Sequence, residues 1–313
     1  MKLQDKFKIA ISGIGGVGGY IGGLLAKKFK DSQEVEIYFI SRGENLQAIR
    51  HHGLKLMTAL REFIVYPKLT TSDPSLIGPV DLLICCTKSY DLEENIRHCS
   101  PCIDPDTILL PLLNGVDSRE TIAKQYPSNP ICDGCIYIVT QLIEPGVVKQ
   151  SGSICKVYFA CNNNTDDRLK KISDLFTSAG INATLAEDIQ HEVWEKFIFI
   201  SAMATLTSYL DCSIGTILAD PAKAELVHSL LSEIKMVAEN KKISFPFDIV
   251  QHSLERMKKV PKETSSSMHL DFQRRKRTEI ESLTGYIVRA GKEFSLAVPT
   301  YEMMYTFLKN KSQ

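Results

Sequence analysis

Three groups of residues in this chain have the types and spacing to do chemistry. The first is Gly13-Ile14-Gly15-Gly16-Val17-Gly18, a G-x-G-x-x-G run between an apolar stretch and the helical pattern of Tyr20, Ile21, Leu24 and Leu25. Strand, glycine turn and helix in that order suit the pyrophosphate of a dinucleotide. Gly13 permits the tight turn, Gly15 lets backbone N–H groups approach the phosphates, and Gly18 lets helix and strand pack closely. The helix start then offers N–H donors and a partial positive charge to the phosphate oxygens. G-x-G-x-x-G alone is a weak signal; its position between strand and helix gives it weight.

The second group is a pair of cations after later strands. The stretch 35–40 ends in Ser41-Arg42-Gly43, without the acid that usually binds an adenine ribose 2′-hydroxyl at this point. A guanidinium there suits a 2′-phosphate, so the expected cofactor is NADP(H), against the ordinary alternative of a loop cation. Lys88, after the apolar run 80–86, is placed to add a second charge to the same phosphate. Asn114-Gly115 follows the next apolar run; it reads equally as a contact to the nicotinamide end of the cofactor or as a common turn pair.

The third group lies far along the chain. Lys196 follows the single tryptophan, Trp194-Glu195-Lys196, and Glu279 stands in Thr278-Glu279-Ile280. From its surroundings alone Lys196 is an ordinary solvated helix cation. Arg274, Arg275, Lys276 and Arg277 form a basic run that reads as a solvated helix face near an anionic ligand rather than a nucleic-acid patch. Two C-x-x-C pairs, Cys99/Cys102 and Cys132/Cys135, suggest zinc superficially, but the gap between them is too long for a ribbon. The nine cysteines are expected to be reduced structural thiols rather than zinc ligands or disulfides.

These groups need elements to hold them. The first half alternates strands (8–12, 35–40, 80–86, 107–113) with helices (44–52, 91–98), the rhythm of a parallel sheet covered on both faces. β-rich patches at 54–57 and 62–68 interrupt it. Segment 131–160 is β-rich with turn residues and is expected to finish the sheet in antiparallel fashion. A helix at 166–179 and a strand at 182–185 follow, then helices at 189–210, 221–240, 247–258, 271–293 and 300–308. The expected fold is therefore α/β: a Rossmann-type dinucleotide-binding domain over 1–186, then an all-α substrate and catalytic domain over 187–313. The 313 residues carry 37 basic and 37 acidic side chains, so no global field draws the chain to nucleic acid or an anionic membrane. Lys2, Lys6 and Lys8 imitate the start of a signal peptide, but the apolar run after them is too short. The longest apolar stretch, 197–210, is too short to span a bilayer and contains hydroxyls. A cytoplasmic protein is expected, with apolar helical faces that permit a homodimer through the C-terminal domain.

The chain resembles the ketopantoate reductases (2-dehydropantoate 2-reductases) along its whole length. The resemblance rests on the glycine loop, Ser41-Arg42-Gly43, Thr87-Lys88, Leu113-Asn114-Gly115-Val116, Trp194-Glu195-Lys196, Ser266-Ser267-Met268 and Thr278-Glu279-Ile280. It implies NADPH-dependent reduction of a 2-oxo acid, ketopantoate to pantoate for pantothenate and coenzyme A synthesis. Lys196 would then be the general acid and Glu279 would accept the substrate hydroxyl. Ser267 would contact the carboxylate, Asn114 would lie between cofactor and substrate, and Arg42 with Lys88 would hold the 2′-phosphate. Hydride addition to a ketone builds negative charge on oxygen, and a nearby ammonium stabilises that charge and supplies the proton.

The match departs at three places. Family asparagines four and eight residues after the lysine are Ile200 and Ala204 here, on the same helix face as Lys196, and a third is Thr264. Losing two amides removes hydrogen bonds that recognise a polar acid, with Ser201 the nearest replacement. The reductase of another 2-oxo acid is therefore the alternative reading. A non-catalytic nucleotide sensor is a weaker one, since Lys196 and Glu279 are both retained.

Overall fold

In the computed structural model the described residues are 6–161 and 166–311; Lys2 lies outside them. They divide into two compact units. One runs to Leu113 and resumes over Asp117–Ile189; the other is Asn114–Val116 with the residues from Gln190 onward.

The first unit begins with β1 (Phe7–Ser12), α1 (Gly16–Lys28), β2 (Val35–Ile40), α2 (Gly43–His52), β3 (Leu54–Met57), β4 (Glu62–Val65) and β5 (Leu69–Thr71). β6 (Leu82–Cys85), α3 (Leu92–His98), β7 (Ile108–Pro111) and α4 (Ser118–Ala123) come next. β8 (Cys132–Glu144), β9 (Val147–Cys161), α5 (Asp167–Ser178) and β10 (Ala183–Leu185) complete it. Strands β5-β2-β1-β6-β7 form one sheet, every pairing parallel. Alternate residues serve two cores: Ile9, Ile11, Phe39, Leu82 and Ile84 on one face, Ala10, Tyr38, Ile40, Leu83 and Cys85 on the other. Burial on both faces is why these strands read as unbroken apolar runs. The strand order reverses direction between β1 and β6, which places a switch point at their carboxyl ends.

Segment 131–160 does not finish this sheet, contrary to expectation. β8 and β9 form a long antiparallel hairpin in a second sheet, where β9 also pairs in parallel with β3 and β10, and β3 pairs with β4. An isolated bridge, Leu109 to Ile131, connects the edge of the first sheet to this segment. The cause is α1, which is apolar on two sides. Its Gly22 lies against Phe39 of the first sheet, while Gly19 and Gly23 lie against Val148 and Leu56 of the second. The second sheet thus covers the side of α1 that the first leaves bare.

The cysteines need a correction. Cys132 and Cys161 face each other directly across β8 and β9, with Cα atoms 4.1 Å apart, and are joined as a disulfide. Adjacent positions across an antiparallel pair are the closest in a sheet, and the sequence separation of 29 between the two cysteines hides that proximity in the sequence. The other seven are free; Cys85, Cys99 and Cys102 sit in the apolar core of the first sheet.

The second unit is helical: α6 (Ile189–Leu210), α7 (Ile214–Ala219), α8 (Pro221–Asn240), α9 (Ile249–Lys259), α10 (Ser267–Gln273), α11 (Ile280–Phe294) and α12 (Pro299–Lys311). Asp220, Asp248 and Ser266 cap α8, α9 and α10 with side-chain oxygens. The single helix expected over 271–293 is two. α10 ends at Gln273, Arg275 takes a left-handed φ of 52°, and Lys276 N–H returns to Asp271 C=O. The basic run Arg274–Arg277 is therefore an exposed turn, not a helix face. No described helix is long and apolar enough to cross a membrane.

Candidate active site

In the first unit the glycine loop leaves β1 and enters α1, with Gly15 as the residue before the helix. Gly13 adopts φ 88°, and a Cβ on Gly18 would stand 2.1 Å from the Gly13 carbonyl, so neither position admits a side chain. A Cβ on Gly15, by contrast, would meet no protein atom within 4 Å. The space beside Gly15 is open, Gly16 at the start of α1 lies against Thr140, and the first turn carries no acidic residue to repel a phosphate. These features fit a dinucleotide pyrophosphate. Ile14 is buried and Val17 half-buried against the core, so the middle of the loop is anchored.

Two asparagines that the sequence did not single out brace this loop. Asn45 Nδ2 donates to Ile14 C=O at 2.7 Å and to Ser41 Oγ at 3.2 Å, while its Oδ1 accepts Gly146 N–H at 2.8 Å. Asn95 Nδ2 donates to Ser12 Oγ at 2.6 Å, at the end of β1. Both are ordinary helix residues in sequence, and their partners lie 31 and 83 positions away. Arg42 is exposed at the start of α2, and Lys88 is half-buried after β6. β2 and β6 flank β1 on opposite sides, so both cations follow carboxyl ends of strands next to the loop.

In the second unit three of the expected residues meet. Lys196 Nζ donates to Asn114 Oδ1 at 3.1 Å, and Asn114 Nδ2 donates to Glu279 Oε2 at 3.4 Å. Lys196 is 8% exposed and Glu279 3% exposed. Buried charges require partners, and the amide supplies one to each. Although Asn114 follows β7 in sequence, Asn114–Val116 groups with the second unit.

The helices that present Lys196 and Glu279 are locked together beneath them. Trp194, Phe197 and Tyr286 pack edge to face with ring centroids 5.6 to 6.1 Å apart. Ser201 Oγ donates to Leu283 C=O at 2.9 Å and lies 2.9 Å from Tyr301 Oη, while Thr205 and Thr284 share a hydrogen bond of 2.8 Å. Ser201 is therefore committed to the core of α6, α11 and α12 and does not replace the amides missing at Ile200 and Ala204. Of those two, Ala204 is buried and Ile200 half-buried. Ser267 is exposed as the first residue of α10, and Thr264 is half-buried before it. Among the described residues no group of three or more His, Cys, Asp or Glu is arranged to hold a metal.

Comparison with known proteins decides the family. The model for ketopantoate reductase PanE/ApbA matches residues 9–164, and that for its C-terminal domain matches residues 188–312. The chain belongs to the ketopantoate reductase family. As a ketopantoate reductase family member it is an oxidoreductase acting at a ketone or CH–OH group. It is similar to the crystal structure of 2-dehydropantoate 2-reductase from Porphyromonas gingivalis, at 34% identity and TM-score 0.85, covering 97% of this chain and 99% of that one. The 2-dehydropantoate 2-reductase of Halobacterium salinarum is 26% identical over 93% of this chain and 94% of its own. A D-mandelate dehydrogenase, solved with NADH and anilino(oxo)acetate, is 26% identical with TM-score 0.87, covering 98% of both chains. The ketopantoate reductase fold thus extends to a protein named for a different hydroxy acid.

Proposed function

We propose that the protein is an NADPH-dependent 2-oxo acid reductase, with ketopantoate as substrate and pantoate as product, serving pantothenate and coenzyme A synthesis. The observation that carries this reading is the Lys196–Asn114–Glu279 chain, an ammonium and a carboxylate held by one amide in a family of ketone reductases. Residues 1–186 are read as the nucleotide domain and 187–313 as the substrate domain. The loop Gly13 to Gly18 would hold the pyrophosphate, and Arg42 with Lys88 the 2′-phosphate. When bound, the cofactor supplies the hydride that adds to the carbonyl carbon.

The chain's own residues do the rest. Lys196 donates its Nζ proton to the ketone oxygen as the C=O π pair moves onto that oxygen, giving the alcohol and a neutral amine that solvent reprotonates. Asn114 orients the ammonium through Oδ1 and restrains Glu279 through Nδ2. Glu279 accepts a hydrogen bond from the substrate hydroxyl, and Ser267 donates to the substrate carboxylate. Ile200 and Ala204 line the site with apolar surface.

That apolar surface, together with the mandelate dehydrogenase neighbour, favours a second reading in which the substrate is a bulkier, less polar 2-oxo acid. Steady-state kinetics with ketopantoate, pyruvate, 2-oxoisovalerate and phenylglyoxylate, each with NADPH and NADH, separate the two. The first reading expects the highest kcat/KM for ketopantoate with NADPH. A preference for phenylglyoxylate selects the second, and turnover of none rejects both.

A further inference from the structure

Three consecutive serines precede the body of α10, and each is used differently. Ser266 Oγ caps the helix by accepting His269 N–H at 3.0 Å and shares a 2.8 Å hydrogen bond with Thr207 of α6. Ser265 Oγ is hydrogen-bonded to His269 Nδ1. Of the three, Ser267 is the exposed one. The other ring nitrogen of His269, Nε2, meets Asp211 Oδ1 at 2.6 Å, and Gln273 Nε2 lies 3.1 Å from the same ring atom. Asp211 is the first residue beyond α6 and takes a left-handed φ of 50°, a conformation that Asp tolerates better than most residues.

α10 is therefore tied twice to α6: through Thr207 and Ser266, and through Asp211, His269 and Ser265. Lys196, Ile200, Ala204 and Thr207 fall within an arc of about 80° on α6 at 3.6 residues per turn. The face that presents Lys196 thus continues to the tie on Ser266, and Asp211 holds His269 just beyond it. Ser267 lies between these two fixed points, with its backbone pinned on either side. A hydroxyl, imidazole and carboxylate in line also have the makings of a hydrolytic nucleophile, but the imidazole is buried in the core and the Asp211 side chain is 59% exposed. That is the reverse of the buried acid and accessible imidazole such chemistry uses.

We infer that Asp211, His269 and Ser265 are positioning residues that set Ser267 for the carboxylate of the 2-oxo acid. The inference rests on the proposed role of Ser267 and adds residues that the family motif does not supply. The groups around His269 are Asp211 at the end of α6, Ser265 and Ser266 ahead of α10, and Gln273 on α10. Lys311 of α12 acts electrostatically on Asp211. Hydrogen bonding from His269 holds the Asp211 carboxyl below the usual carboxylate range, consistent with a charged partner for the ring.

The test is steady-state kinetics on the full chain at saturating NADPH, using ketopantoate or whichever of the four acids has the highest kcat/KM. Ser267→Ala is expected to raise KM for the acid about tenfold with kcat nearly unchanged, the size of one lost charge-assisted hydrogen bond. Asp211→Asn and Ser265→Ala should raise the same KM, by about three- to tenfold, without moving kcat or the KM for NADPH. Ser265→Thr, which keeps the hydroxyl, should restore it. Asp211→Asn added to Ser267→Ala should have no further effect. If Ser267→Ala raises KM while Asp211→Asn and Ser265→Ala do not, the positioning inference fails even if both lower Tm. If Ser267→Ala leaves KM unchanged, the role of Ser267 fails and the inference with it.

Discussion

The ammonium of Lys196 donates to Asn114 Oδ1 at 3.1 Å, and the other end of that amide donates to Glu279. One side chain therefore restrains both candidate groups. Asn114→Ala should lower kcat by about 10- to 100-fold, since it releases Lys196 from the amide without removing it. Asn114→Asp should be at least as damaging, because the carboxylate cannot donate to Glu279 and repels it. Wild-type kcat in both variants would remove Asn114 from the site.

The proposed preference for NADPH assigns its 2′-phosphate to Arg42 and Lys88. Replacing either by Ala should raise the KM for NADPH about tenfold or more, the size of a lost charge-assisted hydrogen bond, while leaving the KM for NADH nearly unchanged. Equal effects on the two cofactors would mean that the cations do not read the 2′-phosphate.

Glu233 of α8 has a different task. Its Oε1 accepts Thr300 N–H and its Oε2 accepts Tyr301 N–H, each at 2.9 Å, so a buried carboxylate from another helix serves the first turn of α12. Glu233→Ala leaves two donors unserved and should lower unfolding free energy by about 1–3 kcal/mol in urea titration. An unchanged midpoint would show that α12 is held by its apolar face alone.

Burial makes most of the thiols unreactive. It pushes Cys102 up to about 12 and Cys155 to about 11, and raises Cys85, Cys86 and Cys99 as well. The thiolate is the reactive form, so at about pH 8 these five should resist a maleimide in the folded protein and react in denaturant. Mass spectrometry reads the positions; rapid labelling of any of the five in the folded state contradicts the burial argument.

The parallel sheet was legible because its strands are buried on both faces and its turns carry their own chemistry. The β8–β9 hairpin was legible as strand but not as a separate sheet, because only the second apolar side of α1 decides where it docks. The disulfide Cys132–Cys161 depends on the cross-strand register of that hairpin and is invisible before it. The break between α10 and α11 falls at Arg275, a residue type that does not advertise a left-handed turn as glycine would. Lys196 and Glu279 could be named from motifs, but their link through Asn114 could not, since it spans 82 and 165 positions. The bracing residues Asn45 and Asn95 carried no signal, because an asparagine on a helix gains its meaning only from what it meets.

The central claim is that Lys196 protonates the ketone oxygen. Its most direct test is Lys196→Ala, measured for NADPH binding by fluorescence and for turnover of ketopantoate under the same conditions. The variant should bind NADPH as the wild type does and lose about 10²- to 10⁴-fold in kcat, the usual contribution of a positioned acid. Wild-type turnover in the variant would contradict the assignment.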